Sequence, residues 1–334
     1  MQNNNNIKYS ILELASIGAG VSTSKTFKNS LELAQKAEDF GYNRFWLAEH
    51  HNMISIASSA TVVLMGYIAG GTNKIRVGSG GIMLPNHSPL IVAEQFGTLA
   101  NLYPGRIDMG LGRAPGTDQT TAHAIRSDRM QAVYQFPDEI AKIQQYFSRD
   151  NSNSKVRATV AEGVEVLVYI LGSSTDSAHL AAKKGLPYVF ASHFAPTHLF
   201  DAFNIYHNEF EPSEFLQEPY TMAGVNIVAA ETDEEAQKIS TSMIRMMLGV
   251  LTGKIDYMQP SIDMTEELRE ISQHPALQQM LRYSFVGSKE TVKKKTKEFL
   301  KQTGANEIMA VSHIYDHQDR VNSFRIFSEI MKEL

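Results

Sequence analysis

Three groups of residues in this chain have the types and spacing to do chemistry. The first is the run Glu49-His50-His51, joined much later by His193. Histidine exchanges protons near neutral pH, so a histidine at a cavity can serve as an acid, a base or a switchable hydrogen-bond partner. Side chains alternate along a strand, so His50 and His51 face opposite ways, and His51 is expected to turn back into the wall. The second group is Arg113 with the turn Gly172-Ser173-Ser174 and, one turn later, Ser177. A glycine turn that opens a helix offers backbone N–H groups and the positive end of the helix dipole, which suits a phosphate. Arg113 could add a forked cation and the serines further donors; the plain alternative is that Ser173 or Ser174 caps the helix while Arg113 pairs with a carboxylate. The third group is Gly78-Ser79-Gly80-Gly81, followed by Met83. Bare backbone there would suit a planar ring; it would equally suit a bulge that turns the chain outward. A metal site would need three converging ligands, such as His50, His193 and a carboxylate, and the order and spacing match no metal motif, so no metal is expected.

These residues stand at the ends of short apolar runs, which read as buried parallel strands. Predicted strands cover Ile7–Ala15, Asn43–Leu47, Ile75–Val77, Ile107–Leu111, Val166–Leu171, Pro187–Ala191, Tyr220–Ala229 and Glu307–Val311. Helical patterns fall between them: Ser24–Phe40, Ala57–Ile68, Ser88–Tyr103, Thr121–Phe147 with a break at Phe136-Pro137, a helix from Ser174 to Lys184-Gly185, Pro196–Phe210, Asp233–Leu248, Lys289–Gln302 and Asp319–Lys332. Proline at a first helical position and glycine past a last one supply several of the boundaries. Eight strand–helix pairs predict a (β/α)8 TIM barrel formed as one domain over residues 1–334, with insertions near 150–164 and 251–285. The second insertion lacks strand signals and is expected to be helical. A doubly wound open sheet is the alternative, disfavoured because no early strand is followed by GxGxxG. In a barrel, the strand carboxyl ends would bring Glu49, His50, His51, Gly78, Ser79, Gly80, Gly81, Met83, Arg113, Gly172, Ser173, Ser174, Ser177, Ser192, His193 and His313 to one face.

Composition narrows the function classes. The 334 residues are 43% apolar and 20% charged, ordinary for a globular protein. The formal net charge of −5 and the lack of a basic stripe argue against nucleic acid. Lys293-Lys294-Lys295-Thr296-Lys297 reads as the solvated face of a late helix, and Met1–Asn6 as a frayed start. There is no cysteine, which excludes disulfides, thiolate metal sites and a cysteine nucleophile. No apolar run is long enough to span a bilayer and Ile7–Ala19 has no basic n-region, so a cytoplasmic location is expected by elimination.

Long blocks of the chain resemble the bacterial luciferase-like family of flavin-dependent monooxygenases. They are FWLAEHHN (Phe45–Asn52), IRVGSGGIMLPNHSPLIVAEQFGTL (Ile75–Leu99), PGRIDMGLGRAPGTD (Pro104–Asp118), LGSSTDSAHLAAKKGLPYVFASHF (Leu171–Phe194) and the VGS turn at Val286–Ser288. The likeness is to a non-luminescent subgroup with AEHHN followed by ASSA (Ala57–Ala60). Where luciferase has a cysteine before the arginine, this chain has Gly112, and light emission is not inferred from the resemblance. The resemblance implies a (β/α)8 barrel that binds reduced FMN or, in some branches, F420. It implies a phosphate held by Arg113, Gly172, Ser173, Ser174 and Ser177. It implies a flavin ring over Gly80 and Gly81, joined by a non-prolyl cis peptide, with Met83 beside it. His50 would face the reacting edge of the ring, Glu49 or a backbone group would fix the His50 tautomer, and His193 would line ring or substrate. The implied reaction uses O2 to oxygenate a small organic substrate, aldehyde-like or other. The alternatives are F420-dependent hydride transfer and flavin binding without catalysis. A separate NAD(P)H:flavin reductase would supply the reduced flavin, and a homodimer is implied. The substrate would be chosen by the loops around Ser16–Ser24, Thr117–Ile125 and Leu251–Phe285.

Overall fold

The structure, a computed structural model, describes residues 7–114, 118–126 and 129–334. Among the described residues ten strands form: β1 (Lys8–Glu13), β2 (Arg44–Leu47), β3 (Arg76–Ser79), β4 (Ile82–Met83), β5 (Ile107–Gly112), β6 (Leu167–Gly172), β7 (Tyr188–Phe190), β8 (Thr221–Ala230), β9 (Ser284–Ser288) and β10 (Glu307–Val311). Eight of them pair in parallel in the order β1-β2-β3-β5-β6-β7-β8-β10, and β10 returns to β1 to close the ring. The remaining two are appendages: β4 pairs with the last residues of β5, and β9 with the second half of β8. Helices connect successive staves and cover the outside, so the architecture is the expected (β/α)8 barrel.

Local chemistry sets the helix boundaries. Ser22 accepts a hydrogen bond from the Lys25 amide at the start of helix Thr23–Phe40, and Gly41 ends it in the left-handed conformation that a side chain would resist. Pro89 occupies the first position of helix Pro89–Leu102, where its missing N–H costs nothing. The insertion near 150–164 is a short 3-10 turn, Arg149–Asn153, followed by irregular chain. Its Ala161 sits so close to Gly97 that a Cβ there would lie 2.7 Å from the Ala161 Cα.

Three expectations need correction. Leu251–Phe285 is not wholly helical: helices Glu266–Ser272 and Pro275–Met280 are followed by β9, whose five residues include a glycine and two serines and carry no apolar run. The helix expected over Asp233–Leu248 is two, Asp233–Ile239 and Thr241–Thr252, divided at Ser240, whose hydroxyl turns back onto the Gln237 carbonyl. Thr121–Phe147 holds helices Gln119–Ile125, Arg129–Tyr134 and Phe136–Phe147; the break at Phe136-Pro137 is present, and residues 127–128 lie outside the described residues, as do Met1–Asn6 and Thr117.

The amino-terminal end of the barrel is closed by charge. Arg44 donates from Nη1 to Asp108 (2.8 Å) and from Nε to Glu307 (3.0 Å). Asp108 also receives Arg76 at 2.6 Å and the Trp46 indole at 3.1 Å. Glu307 accepts from Ser10 and from the Tyr220 hydroxyl. Arg44, Asp108 and Glu307 are all buried, so each charge depends on its partners. Replacing Arg44 with Met, similar in volume but uncharged, should therefore destabilise the protein by about 3–5 kcal/mol, because Glu307 would keep its charge without a cation. A urea unfolding midpoint close to wild type would count against this account.

Candidate functional site

At the opposite end the staves open onto a cavity of about 690 Å3. It is lined by His50, Gly80, Gly81, Met83, Arg113, Gly172, Ser173, Ser174, Ser177, His193 and His313, each at or just past a strand carboxyl end. The structure thus brings most of the candidate residues onto one surface; Glu49, His51, Gly78, Ser79 and Ser192 are not part of it. The remaining lining is largely apolar, with Leu12, Leu14, Met53, Phe194, Met246 and Met280 among it.

The glycine floor is dictated from below. A Cβ at Gly81 would lie 2.8 Å from the Gly110 carbonyl oxygen, and one at Gly80 would lie 2.5 Å from Leu12. Backbone of β5 below Gly81 and the Leu12 side chain beside Gly80 leave little room for side chains, so the surface above is bare, and the Gly80–Gly81 peptide is cis. Ser79 ties this turn to β5: its hydroxyl donates to the Gly110 carbonyl and accepts from the Gly110 amide.

Arg113 faces the cavity with its side chain 42% exposed, and its Nη2 donates to Asp176 at 2.8 Å. The plain reading of Arg113 as a carboxylate partner is therefore met in this state, and the guanidinium holds the Asp176 carboxyl below its ordinary value. Neither Ser173 nor Ser174 caps the helix Asp176–Lys183; Thr175 occupies the cap position without a side-chain bond. The Ser177 hydroxyl meets the Ser174 carbonyl and the Tyr188 hydroxyl, each at 3.1 Å. A Cβ at Gly172 would run into Ser177, so glycine is what lets that hydroxyl approach the loop.

The histidines divide by environment. His193 and His313 are buried, and burial pushes their protonation down to about 4 and about 3. Charge on His50 adds to the effect at His193, and charge on His193 and Arg320 adds to it at His313. Both rings are therefore neutral at neutral pH. The Nδ1 atoms of both are buried without a hydrogen-bond partner. For His193 that atom lies against Gly224 of β8, where a Cβ would collide with it. The His193 ring thus meets the cavity through its opposite edge.

Glu49 corrects the sequence reading. It is buried and is not among the cavity-lining residues. Its carboxylate accepts from His51 (2.8 Å), His87 (2.9 Å), Asn86 (3.3 Å) and the Met83 amide (3.0 Å). It orients His51 and His87 and anchors β4 beside the glycine floor. His51 does turn into the wall. His87, whose carbonyl accepts from Arg126, had no motif to mark it. Sequence reasoning also passed over Arg245, Met246 and Asp176; only Asp176, directly after the serine loop, offered a signal.

Comparison with known proteins now adds to the geometry. The sequence profile described as luciferase-like monooxygenase matches residues 7–307. The chain is 45% identical over 328 residues to a luciferase-like monooxygenase of Escherichia coli, covering 98% of both chains. It is 42% identical over 189 residues to an N-acetyl-S-alkylcysteine monooxygenase of Bacillus subtilis, covering 55% of this chain and 57% of that one. Among solved structures, apo-MsnO8 superposes with a TM-score of 0.89 at 32% identity, covering 98% of each chain. Two more distant structures share the fold. One is the oxygenating constituent of 3,6-diketocamphane monooxygenase of Pseudomonas putida in complex with FMN, with a TM-score of 0.74 at 17% identity and 98% of each chain covered. The other is an F420-dependent secondary alcohol dehydrogenase, with a TM-score of 0.70 at 16% identity and 96% and 97% covered.

The Glu49 network carries a pH signature. Burial alone would raise its carboxyl, but hydrogen bonds from His51 and His87, the His87 charge and the Met83 amide outweigh burial and bring it from 4.5 down to about 2. A depressed carboxyl stabilises the fold fully above its unfolded value, and that contribution drains away as pH falls from about 4.5 toward about 2. Urea midpoints of wild type and Glu49→Gln should therefore differ at pH 7 and draw together as pH falls from about 4.5 toward about 2. A gap independent of pH would refute the assignment.

Proposed function

As the chain belongs to the luciferase-like monooxygenase family, we propose that it is a flavin-dependent monooxygenase that uses reduced FMN and O2 to oxygenate a small, largely apolar substrate. The observation that carries this reading is one cavity that combines a cation beside a serine-lined helix start, a bare glycine floor and a wall with buried, neutral histidines. The donor set fits FMN. A guanidinium, a helix start without a side-chain cap and a serine-lined turn suit a phosphate, which would compete with Asp176 for Arg113. The bare Gly80-Gly81 backbone suits a ring system, with Met83 beside it. When bound, the reduced flavin supplies the two electrons and two protons with which one atom of O2 enters the substrate and the other leaves as water.

This chain's own residues have distinct parts in that proposal. Arg113, Gly172, Ser173, Ser174 and Ser177 bind the phosphate, and Gly80, Gly81 and Met83 bind the ring. His50 is the catalytic acid/base or hydrogen-bond partner at the reacting edge. His193, kept neutral by burial, hydrogen-bonds at the cavity wall without adding a charge. Glu49 is a positioning residue. Leu12, Leu14 and the methionines keep water from the reacting centre. The relative named for N-acetyl-S-alkylcysteine supports a thioether as one substrate class. F420 is the second cofactor reading, supported by the F420-dependent enzyme of the same fold. Reduced FMN would come from a separate NAD(P)H:flavin reductase, and the setting we propose is cytoplasmic.

We also propose that the enzyme is a homodimer. Helices Thr61–Gly70 and Pro89–Leu102 pack on each other yet leave Val63, Tyr67, Ile91 and Leu102 exposed, at 72%, 42%, 47% and 64%. Four large apolar groups on two adjacent helices form a patch of the kind that a second copy covers.

Two measurements test the function. Arg113→Ala should weaken FMN binding by about tenfold or more, the scale of a lost charge-assisted hydrogen-bond pair, in a fluorescence titration that includes F420 as competitor. His50→Ala should keep FMN affinity and lose substrate-dependent O2 uptake; wild-type uptake would remove His50 from the mechanism. For the assembly, light scattering should give twice the chain mass for wild type and the single-chain mass for Val63→Glu/Leu102→Glu.

A further inference from the structure

The cavity has a second charged end. Segment 254–259 leads away from helix Thr241–Thr252 and crosses the mouth, and Lys254, Ile255, Asp256, Tyr257 and Gln259 all line the cavity. It is anchored on the β1 side: the Met258 amide donates to the Ile17 carbonyl (2.9 Å), and the Ala19 amide donates to the Met258 carbonyl (2.8 Å). In the ring of eight staves β1 stands four places from β6, so this segment overhangs the side of the mouth opposite the Ser173-Ser174 turn. Two cations belong to it. Lys254 is on the segment, and Arg245 reaches it from the helix, donating from Nη1 to the Pro260 carbonyl at 3.0 Å. Among the described residues neither has a carboxylate partner, whereas Arg113 at the other end is paired with Asp176. The acid in the same segment, Asp256, is engaged with the Tyr257 amide (2.7 Å) and the Gln259 side chain (3.4 Å). Apart from the histidines the rest of the lining is largely apolar, including Met53, Phe194, Met246 and Met280.

We propose that Arg245 and Lys254 form a carboxylate-binding subsite that selects a small anionic substrate with an apolar arm. The proposal deepens the monooxygenase reading and rests on it for the word substrate; the subsite itself rests on two cations facing one cavity, neither of them ion-paired with a carboxylate among the described residues. The spacing is self-consistent. A carboxylate at the β1 side directs the apolar arm across the methionine-lined middle toward the glycine floor, where oxygen transfer would occur. A guanidinium and an ammonium provide charge-assisted bonds to a carboxylate that an ester or amide of the same shape does not receive. The relative's named substrate class, an N-acetylated S-alkylcysteine, has this build: one carboxylate and an apolar thioether arm.

The test is a calorimetric titration of the full chain loaded with FMN, using N-acetyl-S-propylcysteine and its methyl ester, then octanoate and octanamide. The wild type should bind each acid about tenfold more tightly than its neutral counterpart, the scale of one charge-assisted hydrogen bond. Arg245→Gln/Lys254→Gln should bring that ratio to about one while the neutral compounds and FMN bind as before, which also reports that the variant is folded. Equal binding of acid and neutral counterpart by the wild type, or a ratio that survives in the variant, overturns the proposal. If neither sulfur compound binds, the thioether reading falls, and the octanoate pair decides the subsite by the same criterion: no preference for the acid, or no binding of either, overturns it.

Discussion

The ion cluster of Arg44, Asp108 and Glu307 is the constraint on which the rest of the barrel depends. Its members and their partners come from β1, β2, β3, β5 and β10, with Tyr220 just ahead of β8, so one connected set of hydrogen bonds fixes the register of most of the ring. Burying three charges is costly, and the compensation comes from geometry: Arg44 faces a carboxylate on each side, and its guanidinium also lies over the Tyr169 ring, 5.0 Å from the centroid. Burial of Arg44 alone would weaken its charge, but the two carboxylates outweigh this and hold the guanidinium protonated. Such a cluster tolerates little adjustment. It closes one end of the barrel and leaves the other end as the place where a ligand can enter.

The open end is held by a different device. Where the amino-terminal end has charges, the mouth has glycines: a Cβ would press on Leu12 at Gly80, on the Gly110 carbonyl at Gly81, on the Ser79 carbonyl at Gly110 and on Ser177 at Gly172. Their absence of side chains lets β3, β5 and β6 approach and leaves backbone as the cavity surface. Glu49 links the two devices. It is buried like the floor carboxylates, but it accepts from two histidines and a backbone amide beside the glycine turn, so it stiffens the mouth without placing its charge in it.

Much of this was legible in the sequence because it depends on short-range pattern. Strand ends followed by glycine, a proline-started helix after β4 and serines opening the helix after β6 are all local, and they located the cavity surface. The rest depends on which residues meet across the fold. Nothing near Glu49 announces His87, thirty-eight positions later. Nothing in SFVGS announces a strand, because β9 forms only where β8 is long enough to extend beyond the ring. Arg245 reads as an ordinary polar residue on an amphipathic helix until the chain from Lys254 to Gln259 folds back over the mouth and gives it a cavity to face. The expectation that Leu251–Phe285 shapes the cavity was sound in position, and the cations were beyond reach because their environment is made by β1, some two hundred and thirty residues earlier.

The distribution of charge in the cavity follows from these two devices. Cations stand only at its rims, where solvent screens them and where an anion can reach them without crossing a low-dielectric interior. Along the wall the ionisable groups are histidines, and burial has stripped His193 and His313 of charge. A charged histidine there would place an unpaired cation beside apolar lining, at a cost comparable to that of any isolated buried charge. Neutral rings keep the middle hospitable to an apolar ligand while retaining hydrogen-bonding edges. A molecule with an anionic head and an apolar body would therefore be oriented by two terms together: its head gains charge-assisted bonds at a cationic rim, and its body avoids desolvating a charge between them. Orientation in such a site does not require a residue that recognises the reacting atom itself; it requires that the two ends and the middle differ as they do here.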